Sequence, residues 1–305
     1  MQTILGSNGQ IGHELAKELY KNYTKEIRLV SRKPQKIHDS DELVSADLLD
    51  FNETNNAISG SDIVYFTVGL PMDSEMWMKQ FSKILDNVIE ACKIHRSKLV
   101  FFDNTYMYPK TSAIQFENTI FSPSGKKSLV RAQLADKIIK EMEANELKAV
   151  VCRAPEFYGP EKTQSITNTM IFSNIKAKQK LKIPISDSTL RTLIWTPDAS
   201  RAMALIGNTD DAYGQTWHLP CDRSLTYKEM INIADKIENE KLSYSIIKLW
   251  KFKVGSLFNK NAKELLELLP RYEVDNLFNS DKFKKRFPSF PVTSFESRIK
   301  QILVK

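Results

Sequence analysis

The chain opens on a short apolar run, Gln2-Thr3-Ile4-Leu5, and passes at once into Gly6-Ser7-Asn8-Gly9-Gln10-Ile11-Gly12. Leu15 and Leu19 follow at helical spacing. Strand, glycine loop and helix in this order are the context that a dinucleotide-binding fingerprint requires. The reasons are steric and electrostatic. Gly6 lets the chain turn tightly off the strand, Gly9 lets backbone approach a pyrophosphate, and Gly12 lets the helix lie close to the strand. The helix start adds unpaired N–H groups and a positive dipole end. Residues Gly6, Ser7, Asn8, Gly9, Gln10, Ile11 and Gly12 are therefore expected to cradle phosphates.

The next elements fit the same architecture. Residues 25–30 read as a second strand, ending at Ser31-Arg32-Lys33-Pro34. An acidic residue here would accept bonds from ribose hydroxyls and repel a 2′-phosphate. Ser31, Arg32 and Lys33 offer a hydroxyl and two cations instead, which favours NADP over NAD. The plain alternative is a solvated basic turn. Residues 42–48 fit a third strand, with Asp47 and Leu48 where an adenine could be bracketed. Residues 56–58 lie in a short helix ending at Gly60. Residues 62–69 read as a central strand, with Thr67, Val68 and Gly69 facing the cofactor crevice.

A core-facing helical stripe runs from Phe81 to Cys92, and a strand over 98–102 ends in Asp103-Asn104-Thr105-Tyr106-Met107-Tyr108. Residues 125–143 read as a helix with apolar positions Leu129, Leu134, Ile138 and Ile139; residues 148–153 form a further strand. Alternating strands and helices predict an α/β fold with a doubly wound parallel sheet, whose ligands bind outside the carboxyl ends of the strands.

Composition narrows the partners. The net charge is +7, but the lysines are scattered over all 305 residues with no arginine-rich block, which argues against nucleic acid. The three cysteines, Cys92, Cys152 and Cys221, stand far apart and form no zinc-type cluster. The first strand begins almost at Met1, so no leader is expected, and no apolar stretch approaches bilayer length. The expectation is a soluble, reducing, cytoplasmic protein with a small-molecule substrate, no metal and no membrane partner.

These residues, with Arg153-Ala154-Pro155-Glu156-Phe157-Tyr158-Gly159-Pro160, the run from Arg191 to Ala202, and Gly214 to Leu219, resemble the extended short-chain dehydrogenase/reductase superfamily, in its NAD-dependent epimerase/dehydratase branch. The resemblance covers about residues 1–240. It implies a Rossmann-type sheet with a smaller C-terminal substrate lobe, an NAD(P) cofactor, and often a homodimer. Working members use a Tyr and a Lys one helical turn apart, where the ammonium lowers the phenol pKa for proton exchange. Here Lys127 stands at the Tyr position and Arg131 at the Lys position. The usual Ser falls near Asn104, with Thr105 beside it.

Two other Tyr-x-x-x-Lys strings are read as accidental. Pro109 interrupts Tyr106 and Lys110, while Tyr244 and Lys248 lie in a strand-like run. Three arrangements stay open for the altered site. Tyr106 or Tyr108 supplies a phenol beside Lys127 or Arg131; Lys127 is itself the acid/base; or proton transfer is lost. The first two give an NAD(P)-dependent oxidoreductase or epimerase acting on a nucleotide-sugar or other small carbonyl or hydroxyl compound. The third gives an inactive NADP-binding sensor or regulator. Packing is the alternative role of both tyrosines.

The expected division is a cofactor domain over 1–157 and a substrate lobe over 158–305, with 191–219 returning to the first. The resemblance gives Arg191 a grip on a substrate diphosphate; a surface arginine is the bland reading. Residues 172–181 read as a basic helix or loop, Pro197 to Ser200 as a helix start, and 250–305 as helices.

Overall fold

The computed structural model describes residues 1–160 and 163–304. Two compact units divide the chain. The first comprises 1–107, 125–154 and 199–219; the second comprises 108–124, 155–198 and 220–305. Residues 108–124 thus go with the second unit, and the return to the first begins at Ala199.

In the first unit the elements follow one another as β1 (Gln2–Leu5), α1 (Gln10–Asn22), β2 (Ile27–Ser31), β3 (Glu42–Ser45), α2 (Phe51–Ile58), β4 (Ile63–Phe66), α3 (Ser74–His95), β5 (Lys98–Asp103), α4 (Lys126–Glu143) and β6 (Ala149–Arg153). β7 (Glu156–Tyr158), α5 (Ser173–Lys176), β8 (Leu181–Pro184) and β9 (Leu193–Trp195) belong to the second. α6 (Thr196–Gly207) then leads into β10 (Thr216–His218). Seven strands form one sheet in the order β3-β2-β1-β4-β5-β6-β10, every pair parallel.

This is a Rossmann-type doubly wound sheet. Its strand order reverses between β1 and β4, and such a reversal opens a crevice at the carboxyl ends of the two strands. The wholly buried patterns of β1, β4 and β6 are those of strands covered on both faces. Alternation along β4 shows the two layers. Val64 and Phe66 pack with Ala57 and Ile58 of α2, Leu85 and Val88 of α3, and Leu134 of α4. Tyr65 points the other way, its hydroxyl donating to Gln2 Oε1 at 2.9 Å and accepting from Asn208 Nδ2 at 3.2 Å.

Several expectations need correction. The third strand stops at Ser45, so Asp47 and Leu48 lie beyond it. In α4, Leu129 faces solvent. Lys127, Arg131, Leu134 and Ile138 are buried instead, at the i, i+4, i+7, i+11 spacing of one helix face. Leu129 is two residues from both Lys127 and Arg131, which turns it to the opposite side. The segment 172–181 is neither one helix nor one loop: a π turn (Asn168–Phe172) runs into the single turn of α5, and β8 begins at Leu181.

The second unit has two parallel strand pairs, β7 with β9 and β8 with β11 (Tyr244–Ile247). Its core gathers Tyr158, Phe172, Leu181, Trp195, Met230, Tyr272, Phe295 and Ile299. α7 (Tyr227–Glu238) starts in a full capping box, Thr226 with Glu229. α8 (Leu249–Gly255), α9 (Lys260–Leu266), α10 (Asp281–Arg286) and α11 (Phe295–Leu303) complete the chain. Among the described residues no helix is long and apolar enough to cross a membrane.

Candidate cofactor and active site

The glycine loop is built by contacts that only glycine permits. Gly6 has φ +83°, and a Cβ there would lie 2.9 Å from the Val68 Cα. A Cβ on Gly12 would lie 2.8 Å from the Gly6 carbonyl oxygen and 2.9 Å from Thr67 Oγ1. All three distances are shorter than real Cβ contacts, so the loop after β1 and the end of β4 touch directly. Thr67 locks the arrangement by donating Oγ1 to the Leu5 carbonyl at 2.8 Å. Gly9 is the N-cap of α1 and is exposed. No side chain caps this thirteen-residue helix and no acid stands in its first turn. That end suits an anion.

Asn8 ties the loop to the basic turn. Its Nδ2 donates to the Lys33 carbonyl at 2.7 Å, and its Oδ1 accepts from Gln35 N–H at 3.2 Å. Ser31 is half-buried; Arg32 and Lys33 are exposed. The structure therefore brings Gly6 to Gly12, Thr67, Val68 and the turn 31–33 together. Asp47 is exposed, whereas Leu48 is buried and its carbonyl accepts from Asn87 Nδ2 at 2.9 Å. Gly69 is exposed.

Around the C-terminal end of β5 the charged residues are buried, while Asn104 and Tyr106 are half-buried. Arg131 donates Nε and Nη2 to Asp103 Oδ1 at 3.1 and 2.5 Å, and Nη2 also to the Phe102 carbonyl at 3.1 Å. Arg153 donates Nε to Asp103 Oδ2 at 2.9 Å. One carboxylate thus holds two guanidiniums. Lys127 is 0% exposed and its Nζ donates to Ser74 Oγ at 2.9 Å. Asn104 Oδ1 accepts from Tyr106 N–H at 3.0 Å, Thr105 is buried, and Tyr106 stacks on Trp77 with centroids 6.1 Å apart. Tyr108, in the second unit, is buried and donates its hydroxyl to the Phe116 carbonyl at 3.0 Å. No helix runs through 104–109.

Arg191 is no surface residue. It is 1% exposed, inside the second unit. Nη2 meets Glu156 Oε2 at 2.8 Å, Nη1 donates to the Arg271 carbonyl at 3.1 Å, and the guanidinium lies 3.8 Å from the Tyr272 ring centre. Glu156 Oε1 accepts from Tyr272 Oη at 2.7 Å and from Thr167 Oγ1 at 3.1 Å. Burial works against the Arg191 charge, but the Glu156 carboxylate outweighs it and holds the guanidinium pKa above its ordinary value. Burial, and then Glu156, push the Tyr272 phenol up in turn.

Sequence reasoning passed over Asp103, Ser74 and Glu156. A signal existed for Asp103: it is the one acid closing an apolar strand, and it stands in register with Arg153 at the end of the next. Ser74 and Glu156 carry no such mark.

With this geometry in hand, the comparisons are specific. A model of the NAD dependent epimerase/dehydratase family matches residues 3–219. The chain belongs to the NAD-dependent epimerase/dehydratase family. No curated protein matches the sequence. Among solved structures this family member is similar to UDP-glucuronic acid 4-epimerase from Bacillus cereus in complex with NAD, at TM-score 0.80 and 15% identity over 99% of this chain and 97% of that one. A dTDP-glucose 4,6-dehydratase double mutant from Streptomyces venezuelae, with NAD and DAU bound, gives TM-score 0.79 and 13% identity over 99% and 95%. UDP-N-acetylglucosamine 4-epimerase from Bacillus cereus gives TM-score 0.79 and 13% identity over 99% and 95%. At these identities the likeness concerns the fold.

Proposed function

We propose that this family member binds NADP(H), or NAD(H), against the Gly6–Gly12 loop and is an NAD(P)-dependent oxidoreductase or epimerase. Its substrate is a nucleotide-sugar or another small carbonyl or hydroxyl compound. The observation that carries the reading is the glycine cradle, where added Cβ atoms at Gly6 and Gly12 would collide with backbone while Gly9 leaves the start of α1 uncapped. The cofactor, when bound, supplies hydride acceptance and donation at its nicotinamide ring. Ser7, Asn8, Gln10 and Ile11 complete the phosphate loop. Ser31, Arg32 and Lys33 receive a 2′-phosphate; Asp47 and Leu48 flank the adenine; Thr67, Val68, Gly69 and Asn104 line the remainder.

The residues of the altered site divide the work. Thr105 and the Tyr106 phenol face the reacting hydroxyl with Lys127 as the cationic neighbour, or Lys127 Nζ itself holds and releases the proton. Arg131 fixes the end of β5 through Asp103. Arg191 is already engaged by Glu156, so a diphosphate would have to displace a carboxylate; this favours the substrates that lack one.

A second reading, a cofactor-binding protein without turnover, is favoured by one observation: Arg131, at the lysine position, is held by Asp103. Transfer of label from NADPH deuterated at nicotinamide C4 into a metabolite pool separates the two. Labelled product supports the enzyme. Saturable binding with neither labelled product nor a new epimer of a supplied nucleotide-sugar supports the sensor.

A further inference from the structure

Residues 248–263 carry five lysines, Lys248, Lys251, Lys253, Lys260 and Lys263, and no aspartate or glutamate. All five are exposed. α8 turns Leu249 and Phe252 toward the second core. Trp250 and Val254, one helical turn apart, are left on the outer face. The chain leaves α8 through a turn in which Ser256 N–H donates to the Phe252 carbonyl at 2.9 Å and Leu257 N–H to that of Val254 at 3.1 Å. That turn carries two more apolar side chains outward. Trp250 is 61% exposed, Leu257 76% and Phe258 87%.

Single exposed apolar residues are ordinary, but a cluster of large ones in so short a segment marks a surface that something covers. Charge decides what. Two copies meeting on this face around a two-fold axis would oppose lysines to lysines. An outward tryptophan set among lysines, with no acid between 248 and 263, is instead the composition of a face that enters a lipid headgroup region.

We propose that α8 and the turn after it dock on an anionic lipid surface, with Trp250, Val254, Leu257 and Phe258 at the headgroup–acyl boundary and the five lysines against lipid phosphates. The expectation of no membrane partner rests on the lack of a spanning stretch. An interfacial face needs none.

The tryptophans provide the readout, because Trp77, Trp195 and Trp217 are buried and Trp250 is exposed. The full-length protein is mixed with vesicles of phosphatidylcholine alone, or with about one third phosphatidylglycerol, and sedimented. The expected result is at least roughly tenfold stronger partition onto the anionic vesicles, with a blue shift in emission. Trp250→Phe keeps the partition and loses the shift. The double substitution Leu257→Asp, Phe258→Asp touches only exposed positions and abolishes both. Protein that stays in the supernatant with anionic vesicles overturns the proposal, as does partition indifferent to the double substitution. A dimer in sedimentation velocity that the same double variant splits reassigns the face to a second copy and overturns it equally.

Discussion

The Arg131 guanidinium donates two N–H groups to a single oxygen of Asp103, at 3.1 and 2.5 Å. The other carboxylate oxygen is taken by Arg153. All three residues are buried. An arginine does not give up its proton in a protein, so Arg131 cannot replace a lysine as a proton relay; it remains a fixed charge that ties α4 to the end of β5.

Breaking this triad has a definite sign. Asp103→Asn removes the carboxylate that two buried guanidiniums share and should cost about 3–5 kcal/mol. Arg131→Met leaves Asp103 still paired with Arg153 and should cost less. Urea denaturation of both variants ranks them. An Asp103→Asn protein as stable as the wild type would contradict the charge-balance account.

The fold was legible for a physical reason: wholly buried parallel strands read as unbroken apolar runs, and Gly6 and Gly12 mark a turn that few sequences tolerate. The altered site was less so. Periodicity locates a core stripe by its apolar members, so it selected Leu129, which faces water, and passed over the fact that Lys127 and Arg131 occupy the inward register. Local sequence also cannot show that Glu156 neutralises Arg191, because the two are brought together by the pairing of β7 with β9 and the loop before β9.

Glu156 and Arg191 give a second test of buried charge. Glu156→Gln leaves the guanidinium uncompensated and should cost about 3–5 kcal/mol, whereas Glu156→Leu combined with Arg191→Met should recover most of that loss. A double-mutant cycle by denaturation measures the coupling. Calorimetry with UDP adds a readout of function: the wild type should bind it weakly, since the carboxylate already fills the arginine fork, and tight binding lost in Arg191→Met would refute the engaged-arginine reading.

Cofactor choice should turn on the basic turn. Arg32→Asp places a negative charge where Arg32 is proposed to meet a 2′-phosphate. NADPH affinity should fall by roughly tenfold to a hundredfold, and NADH affinity should change little. Parallel fluorescence titrations check this; equal losses for both nucleotides would assign the turn a structural role instead.

Stability should decline in alkali. Burial pushes the Cys221 thiol from its ordinary value of 9.0 up to about 12. Burial likewise raises Tyr65, Tyr158, Tyr213, Tyr227 and Tyr272. Above about pH 9 the unfolded chain loses protons that the folded chain keeps, so the contribution is complete below that pH and is lost as pH rises toward the folded value. Urea midpoints at about pH 8 and about pH 10.5 should fall, with a shallower fall in Cys221→Ala. A flat profile would contradict the burial of these groups.

The central claim is that backbone at the switch between β1 and β4 receives a dinucleotide phosphate. Isothermal titration of the full chain with NADPH and NADH, repeated on Gly9→Val, tests it most directly. The account predicts saturable binding of at least one nucleotide to the wild type and a loss of roughly a hundredfold or more in the variant, whose side chain stands at the exposed N-cap of α1. Absence of a saturable signal in the wild type, or full affinity in a folded Gly9→Val protein, would contradict it.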